Sequence, residues 1–299
     1  MTPLAYLRGL LGTRLAPDAR RWLEASAMEI AGGASVERFC ALFSLAARHA
    51  RRVPLAPSAE DRGAAARMVE GWNPERWNLL ETARVALILA RSDLAGDGGV
   101  QALGEAFRYA DEGELCALLR SLALLPAAER FVWRAGEGCR SNMRSVFEAA
   151  ALDTPYPALR FDDGAWNQCV IKCLFVGAPL WRLWGLDARL SPELARMALD
   201  LADERRSAGR PVPHELWLCL GRHGGARGLG ALELELAPGN PNLAGRCAAV
   251  IAFARAGEKR RLAELAPQEG HPAVRSALAR TRAGETGAAT FQHLEAVRA

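Results

Sequence analysis

The chain has very little lysine, no long uninterrupted apolar run and almost no period-two alternation of apolar residues, and each shortage removes a class of protein. Of 299 residues only Lys172 and Lys259 are lysines, so the 38 basic residues, which outnumber 34 acids to give a net charge of +4, are otherwise arginines. The basic stretches Arg20-Arg21, Arg51-Arg52 and Lys259-Arg260-Arg261 are short and lie beside acids. Nucleic-acid backbones need a continuous basic stripe, so no nucleic-acid partner is expected. The most apolar stretch, Cys169 to Trp184, is interrupted by Lys172, Pro179 and Arg182, which leaves it short of the roughly 18 residues of a membrane span. The start of the chain breaks its apolar run at Arg8 without a small-residue cleavage site, and a cytoplasmic location is expected.

Signatures of metal and nucleophile chemistry are also missing. Seven cysteines, at positions 40, 116, 139, 169, 173, 219 and 247, are scattered through apolar helical segments, the pattern of reduced buried thiols. Cys169 and Cys173 share a helix face, but without a CxxC pair, an HExxH motif or clustered histidines the sequence predicts no metal site and no cofactor. Gly221 to Gly230 holds five glycines, yet no strand precedes it and no Gly-Lys-Ser/Thr follows, so it is expected to be a linker and not a phosphate loop. The acidic groups Asp162-Asp163 and Asp200-x-x-Asp203-Glu204 raise an isoprenoid-synthase reading, but Asp162 and Asp163 sit at a helix start with no third aspartate following at the spacing that would chelate a magnesium diphosphate. None of the five histidines has a context that pairs it with a nucleophile and an orienting acid. No catalytic residue is assigned.

What is present is helical texture. Half the residues are apolar and a quarter charged, a globular balance, and the apolar residues recur at helical spacing almost throughout. The fold class is therefore all-α, with antiparallel helical hairpins stacked in a HEAT/armadillo-like array. Residues 99–110 with 112–125, and 241–256 with 258–282, form such hairpins, and the segment from Asp153 to Asp163 is expected to be extended because each of its prolines excludes its predecessor from the helical region. Punctuation divides the chain into an N-terminal helical region over 1–125, a central core over 126–221 and a C-terminal helical-repeat region over 222–299.

Three central helices each carry polar residues on an otherwise apolar side. In the helix expected over 126–150, Phe131, Ala135, Cys139, Val146 and Ala150 define one face, with Asn142 in its middle and therefore buried. Arg134, Glu137 and Arg140 lie on the opposite stripe, spaced for ion pairs. The next helix, from Gly164 to about Trp181, is apolar nearly all round except for Asn167, Gln168 and Lys172. The third opens with Ser191 as N-cap and Pro192 at the first position, and it carries Arg205 within its apolar arc, flanked by Asp200 and Glu204. A buried arginine needs a carboxylate. Asn142, Lys172 and Arg205 are expected to converge on a polar cavity with Glu137, Asp200 or Glu204 as counter-charges, and two prolines stiffen the approach to His214, a further candidate.

The run Glu129-Arg-Phe-Val-Trp-Arg-Ala-Gly-Glu-Gly-Cys-Arg-Ser-Asn-Met, followed by Pro155-Tyr-Pro, Ala165-Trp-Asn-Gln and Glu215-Leu-Trp, resembles the EboA-domain family. The resemblance implies a bacterial gene cluster that also encodes a UbiA-type prenyltransferase, a sugar-phosphate cyclase and TIM-barrel enzymes. It implies a setting in secondary-metabolite biosynthesis or precursor transport, and it carries no catalytic residues. The expected function is a non-catalytic adaptor or carrier whose partners are pathway enzymes from the same cluster or their substrate. An enzyme or enzyme subunit acting on a phosphorylated or prenylated substrate, and a purely structural helical-repeat protein-interaction scaffold, are the alternatives.

Overall fold

The computed structural model describes residues 1–298, and among them the regular elements are helices with no β-strand. The chain divides into two compact units, Met1–Asp162 and Asp163–Ala299.

In the first unit, α1 (Pro3–Arg14), α2 (Pro17–Ala31), α3 (Val36–Leu45) and α4 (Ala59–Met68) lead to α5 (Leu79–Leu89). Every side chain of α5 from Leu79 to Ile88 is buried, because α1, α2, α3 and α7 (Glu112–Ser121) all pack on it. With α6 (Asp97–Tyr109), α7 makes the hairpin expected over 99–125. Asn78 and Asp111 cap α5 and α7, and each cap is closed by the glutamate three residues on, Glu81 or Glu114. Those glutamates also cross to the other helix. Glu114 Oε1 accepts from Arg84 Nη2 at 3.1 Å, and Glu81 Oε2 lies 3.4 Å from Arg120 Nε. Arg84 is only 2 % exposed, its Nε donates to the Phe43 carbonyl at 3.3 Å, and burial pulls its guanidinium below the usual arginine range.

The helix expected over 126–150 is interrupted. A 3₁₀ turn over Ala128–Phe131 leads into α8 (Val132–Arg140), and the chain bends at Ser141, whose hydroxyl accepts from Met143 N at 3.0 Å, before α9 (Arg144–Ala151). The bend lets α8 and α9 pack on each other, so Phe131, Ala135, Cys139, Val146 and Ala150 are all buried, while Asn142 sits exposed at the corner instead of within the core. Their approach is close. A Cβ on Gly138 would fall 2.8 Å from Ala150 Cβ and 2.9 Å from a Leu119 methyl. The segment expected to be extended contains a short helix, α10 (Tyr156–Arg160). Its two prolines fall at the cap and in the first turn, where a missing N–H costs nothing, and the Tyr156 hydroxyl donates to the Ala128 carbonyl.

The second unit starts with α11 (Asp163–Val176), which ends at Gly177 with φ +68°, and α12 (Pro192–Ser207), capped as expected by Ser191 Oγ accepting from Leu194 N at 3.1 Å. The glycine-rich stretch is not a plain linker. After left-handed turns at Gly221 and Gly225 it enters α13 (Gly225–Leu236). The central helix here is α14 (Leu243–Ala256), buried from Ala244 to Phe253. The C-terminal arm expected as one helix over 258–282 is two, α15 (Lys259–Leu265) and α16 (Pro272–Arg282), since Pro267 and Pro272 bracket a turn. Against α14 pack α13, α16 and two 3₁₀ segments, His214–Cys219 and Ala288–Arg298. No helix among the described residues is long and apolar enough to cross a membrane.

Removing one partner of a buried ion pair strands the other charge, at a cost of about 3–5 kcal/mol. Glu114→Ala is expected to destabilise the protein by about that amount in urea unfolding, because it also opens the α7 cap. Glu137→Ala, whose partner Arg140 is exposed, is expected to cost under about 1 kcal/mol. Equal effects would show that the Arg84–Glu114 contact does not organise the unit.

Candidate functional site

A cavity of about 550 Å³ opens in the second unit where the end of α11, the loop before His214 and the start of α14 meet. Its construction begins with Pro211-Val-Pro213. Both prolines fix their own φ and lack N–H donors, so the stretch is stiff and presents carbonyls. Two side chains hold those carbonyls. Arg205 Nε, from the last turn of α12, donates to the Pro211 carbonyl at 3.1 Å, and Asn242 Nδ2 donates to the Val212 carbonyl at 3.2 Å. Held at these two adjacent carbonyls, the loop delivers His214 and Glu215, respectively 5 % and 4 % exposed, as the first residues of the 3₁₀ segment lining the cavity. The His214 ring stacks on Phe291 at 6.5 Å between centroids. Leu174 and Phe175 supply an apolar wall, and the Lys172 ammonium lies 5.4 Å over the Phe175 ring.

Asn242 also meets a buried carboxylate. Glu235, 4 % exposed on α13, accepts from Asn242 Nδ2 at 2.9 Å and lies 3.4 Å from Arg206 Nη2. Asn242 also caps α14, its Oδ1 accepting from Gly245 N at 3.0 Å. Position 245 must be glycine, because a Cβ there would fall 1.9 Å from Glu235 Oε1. Burial pushes the Glu235 carboxyl above the usual carboxylate range, against the pull of Arg206 and the amides of Asn240 and Asn242.

The sequence candidates fall into different surroundings. Arg205 and His214 line this cavity, and Lys172 flanks its Phe175 wall. Arg205 is half-buried and bonds a backbone carbonyl, not Asp200 or Glu204. Both acids are exposed, and Asp200 pairs with Arg196 at 2.6 Å and Arg227 at 2.8 Å. His214 is buried. Asn167 is buried within α11, and Gln168 is exposed. Arg134, Glu137 and Arg140 belong to the first unit, where they line a groove of about 400 Å³ with Phe107 and Trp133. There Arg140 bonds Glu137, and the Arg134 guanidinium lies between Phe107 and Trp133 at 5.1 and 4.5 Å. Glu215, Asn242, Glu235 and Arg206 were missed. One signal for Glu235 was available, since Ala231, Leu232, Glu235 and Leu236 share a helical face and a carboxylate among them must be buried.

The profile of a family described as metabolite traffic protein EboA matches residues 4–221, nearly three quarters of the chain. The chain belongs to the EboA family. A search of curated proteins and one of solved structures return no similar chain. The family match takes in α11, α12 and the segment carrying His214 and Glu215, while the 241–244 wall lies beyond it.

Chemically the cavity offers a guanidinium, an imidazole, a carboxylate and an amide beside an apolar wall, a set that suits recognition of a small polar molecule. Among the described residues no group of three or more His, Cys, Asp or Glu side chains is gathered for a metal ion. Burial pushes the Cys219 thiol up to about 12 and those of Cys116 and Cys247 up to about 11, which keeps them protonated at neutral pH. Iodoacetamide at pH 8 is expected to modify Cys40, the one cysteine that is not buried, and to spare the other six until urea unfolds the chain. Native-state alkylation of Cys219 at the Cys40 rate would contradict that picture.

Proposed function

We propose that the protein is a non-catalytic cytoplasmic carrier or adaptor that holds a small anionic metabolite in the second-unit cavity and passes it to enzymes of a secondary-metabolite pathway encoded in the same gene cluster. The observation that carries this reading is the double anchoring of the Pro211–Pro213 loop by Arg205 and Asn242, which presents His214 and Glu215 to the cavity. A preformed site with few convergent polar groups is what binding without turnover requires, since less ordering has to be offset when the ligand arrives. The family description as a metabolite traffic protein supports the same reading. In this proposal Arg205, His214 and Lys172 meet the ligand. Arg134, Glu137, Arg140 and Asn142 contact partner proteins, for which stacked hairpins of HEAT or armadillo type provide extended surfaces.

Native mass spectrometry of the protein purified from its own host is expected to show a bound small molecule. Arg205→Ala and His214→Ala are each expected to weaken retention about tenfold or more, the loss of a charge-assisted or buried hydrogen bond, with unfolding midpoints close to that of the wild type. A wild-type protein that carries nothing, or variants that retain the ligand fully, would defeat the carrier reading.

A further inference from the structure

A second cavity, also of about 550 Å³, lies between α14, α15 and α16, entirely beyond the residues that match the family. Its walls are Ala254, Leu262, Ala263 and Leu278, flanked by the exposed cations Lys259 and Arg282, and no acidic residue lines it.

Two independent features of this groove point to a ligand. The first is a helix without a core. A seven-residue helix is not stable by itself and normally holds its place by burying an apolar side. Yet α15 has no buried side chain, alone among the α-helices of the described residues, and Leu262 and Leu265 are incompletely buried. The second is charge. Arg260, Arg261 and Arg280 in the same region pair with Glu264 at 2.9 Å, Glu233 at 2.5 Å and Glu285 at 2.6 Å. Lys259 and Arg282, the two cations at the groove, have no carboxylate partner among the described residues. Incomplete apolar burial beside two uncompensated cations is complementary to a molecule with a hydrocarbon body and a negative head.

We infer that the groove between α14, α15 and α16 binds a single-chain amphiphilic anion, its tail covering Leu262, Ala263 and Leu278 and its carboxylate or phosphate head lying between Lys259 and Arg282. The aliphatic stems of both cations lengthen the apolar wall while their charged ends stay in water, where the head group remains partly hydrated. Filling the groove completes the packing of α15 and ties it to α16. The inference does not depend on the carrier reading, because Arg205 and His214 take no part in this groove.

The test is displacement of dansyl-undecanoate from the full-length protein by decanoate, decyl phosphate and, as the neutral control, decanol, all below their micellar concentrations. Saturable probe binding is expected, with at least one of the two anions displacing the probe about tenfold more effectively than decanol. The double variant Lys259→Glu with Arg282→Glu is expected to remove that preference and weaken anion binding about tenfold or more. Leu262→Trp, which fills the groove, is expected to weaken all three competitors, and Arg205→Ala to leave them unchanged. Circular dichroism confirms that each variant is folded. Equal displacement by decanol, anion binding that survives the double charge reversal, or loss of binding in Arg205→Ala would overturn the inference. So would charge-dependent sedimentation with phosphatidylglycerol vesicles in the absence of any displacement by the monomeric anions, which would assign Lys259 and Arg282 to a membrane surface.

Discussion

The reciprocal ion pairs between α5 and α7 set the terms on which this chain buries charge. Each helix supplies an N-terminal glutamate that closes its own cap and an arginine that reaches the other helix's glutamate, so the Arg84–Glu114 and Glu81–Arg120 pairs fix both the register and the ends of the two helices. Such an arrangement contributes little net energy over an apolar core, because desolvating four charges offsets most of the attraction. What it does provide is intolerance of misalignment, since a shift of one turn would leave two guanidiniums and two carboxylates buried apart. The rings of Phe43 and Trp77, 5.3 and 5.8 Å from the Arg84 and Arg120 guanidiniums, add to that fixed geometry.

The same constraint operates in the second unit with a different outcome. Glu235 is buried against Arg206 and Asn242, and Arg246 against Glu269 at 2.8 Å, so the interior charges again come with partners. Here, however, the partnered group supports a wall. Asn242 is shared among Glu235, the Val212 carbonyl and the first turn of α14, and these three bonds tie the loop before His214 to the start of α14.

Four cations without a carboxylate partner among the described residues lie at a cavity or groove. Arg205 holds a carbonyl at the rim of one cavity, Arg134 lies between two rings in a groove of the first unit, and Lys259 and Arg282 edge the groove of α14 to α16. Arg8 and Arg275 also stand exposed without a carboxylate, but these four are placed where an incoming group can meet them.

The all-helical class, the hairpin of α6 with α7, the Ser191 cap of α12 and the face shared by Phe131, Ala135, Cys139, Val146 and Ala150 were legible in the sequence, because local spacing and capping chemistry decide them within a few residues. The family was legible too, in the run from Glu129 to Met143 and the segments that follow it. Asn142 was misplaced because a helical wheel assumes an unbroken axis, and the bend at Ser141 is decided by how closely α8 and α9 pack around Gly138. Arg205 and His214 were found as isolated polar residues, but the carbonyls, the amide of Asn242 and the buried Glu235 that turn them into a site come from segments up to some 40 residues away. Periodicity specifies which side of a helix turns inward. Only the folded chain decides which inward-facing groups share a space, because that depends on contacts between elements whose separation in sequence carries no local signal.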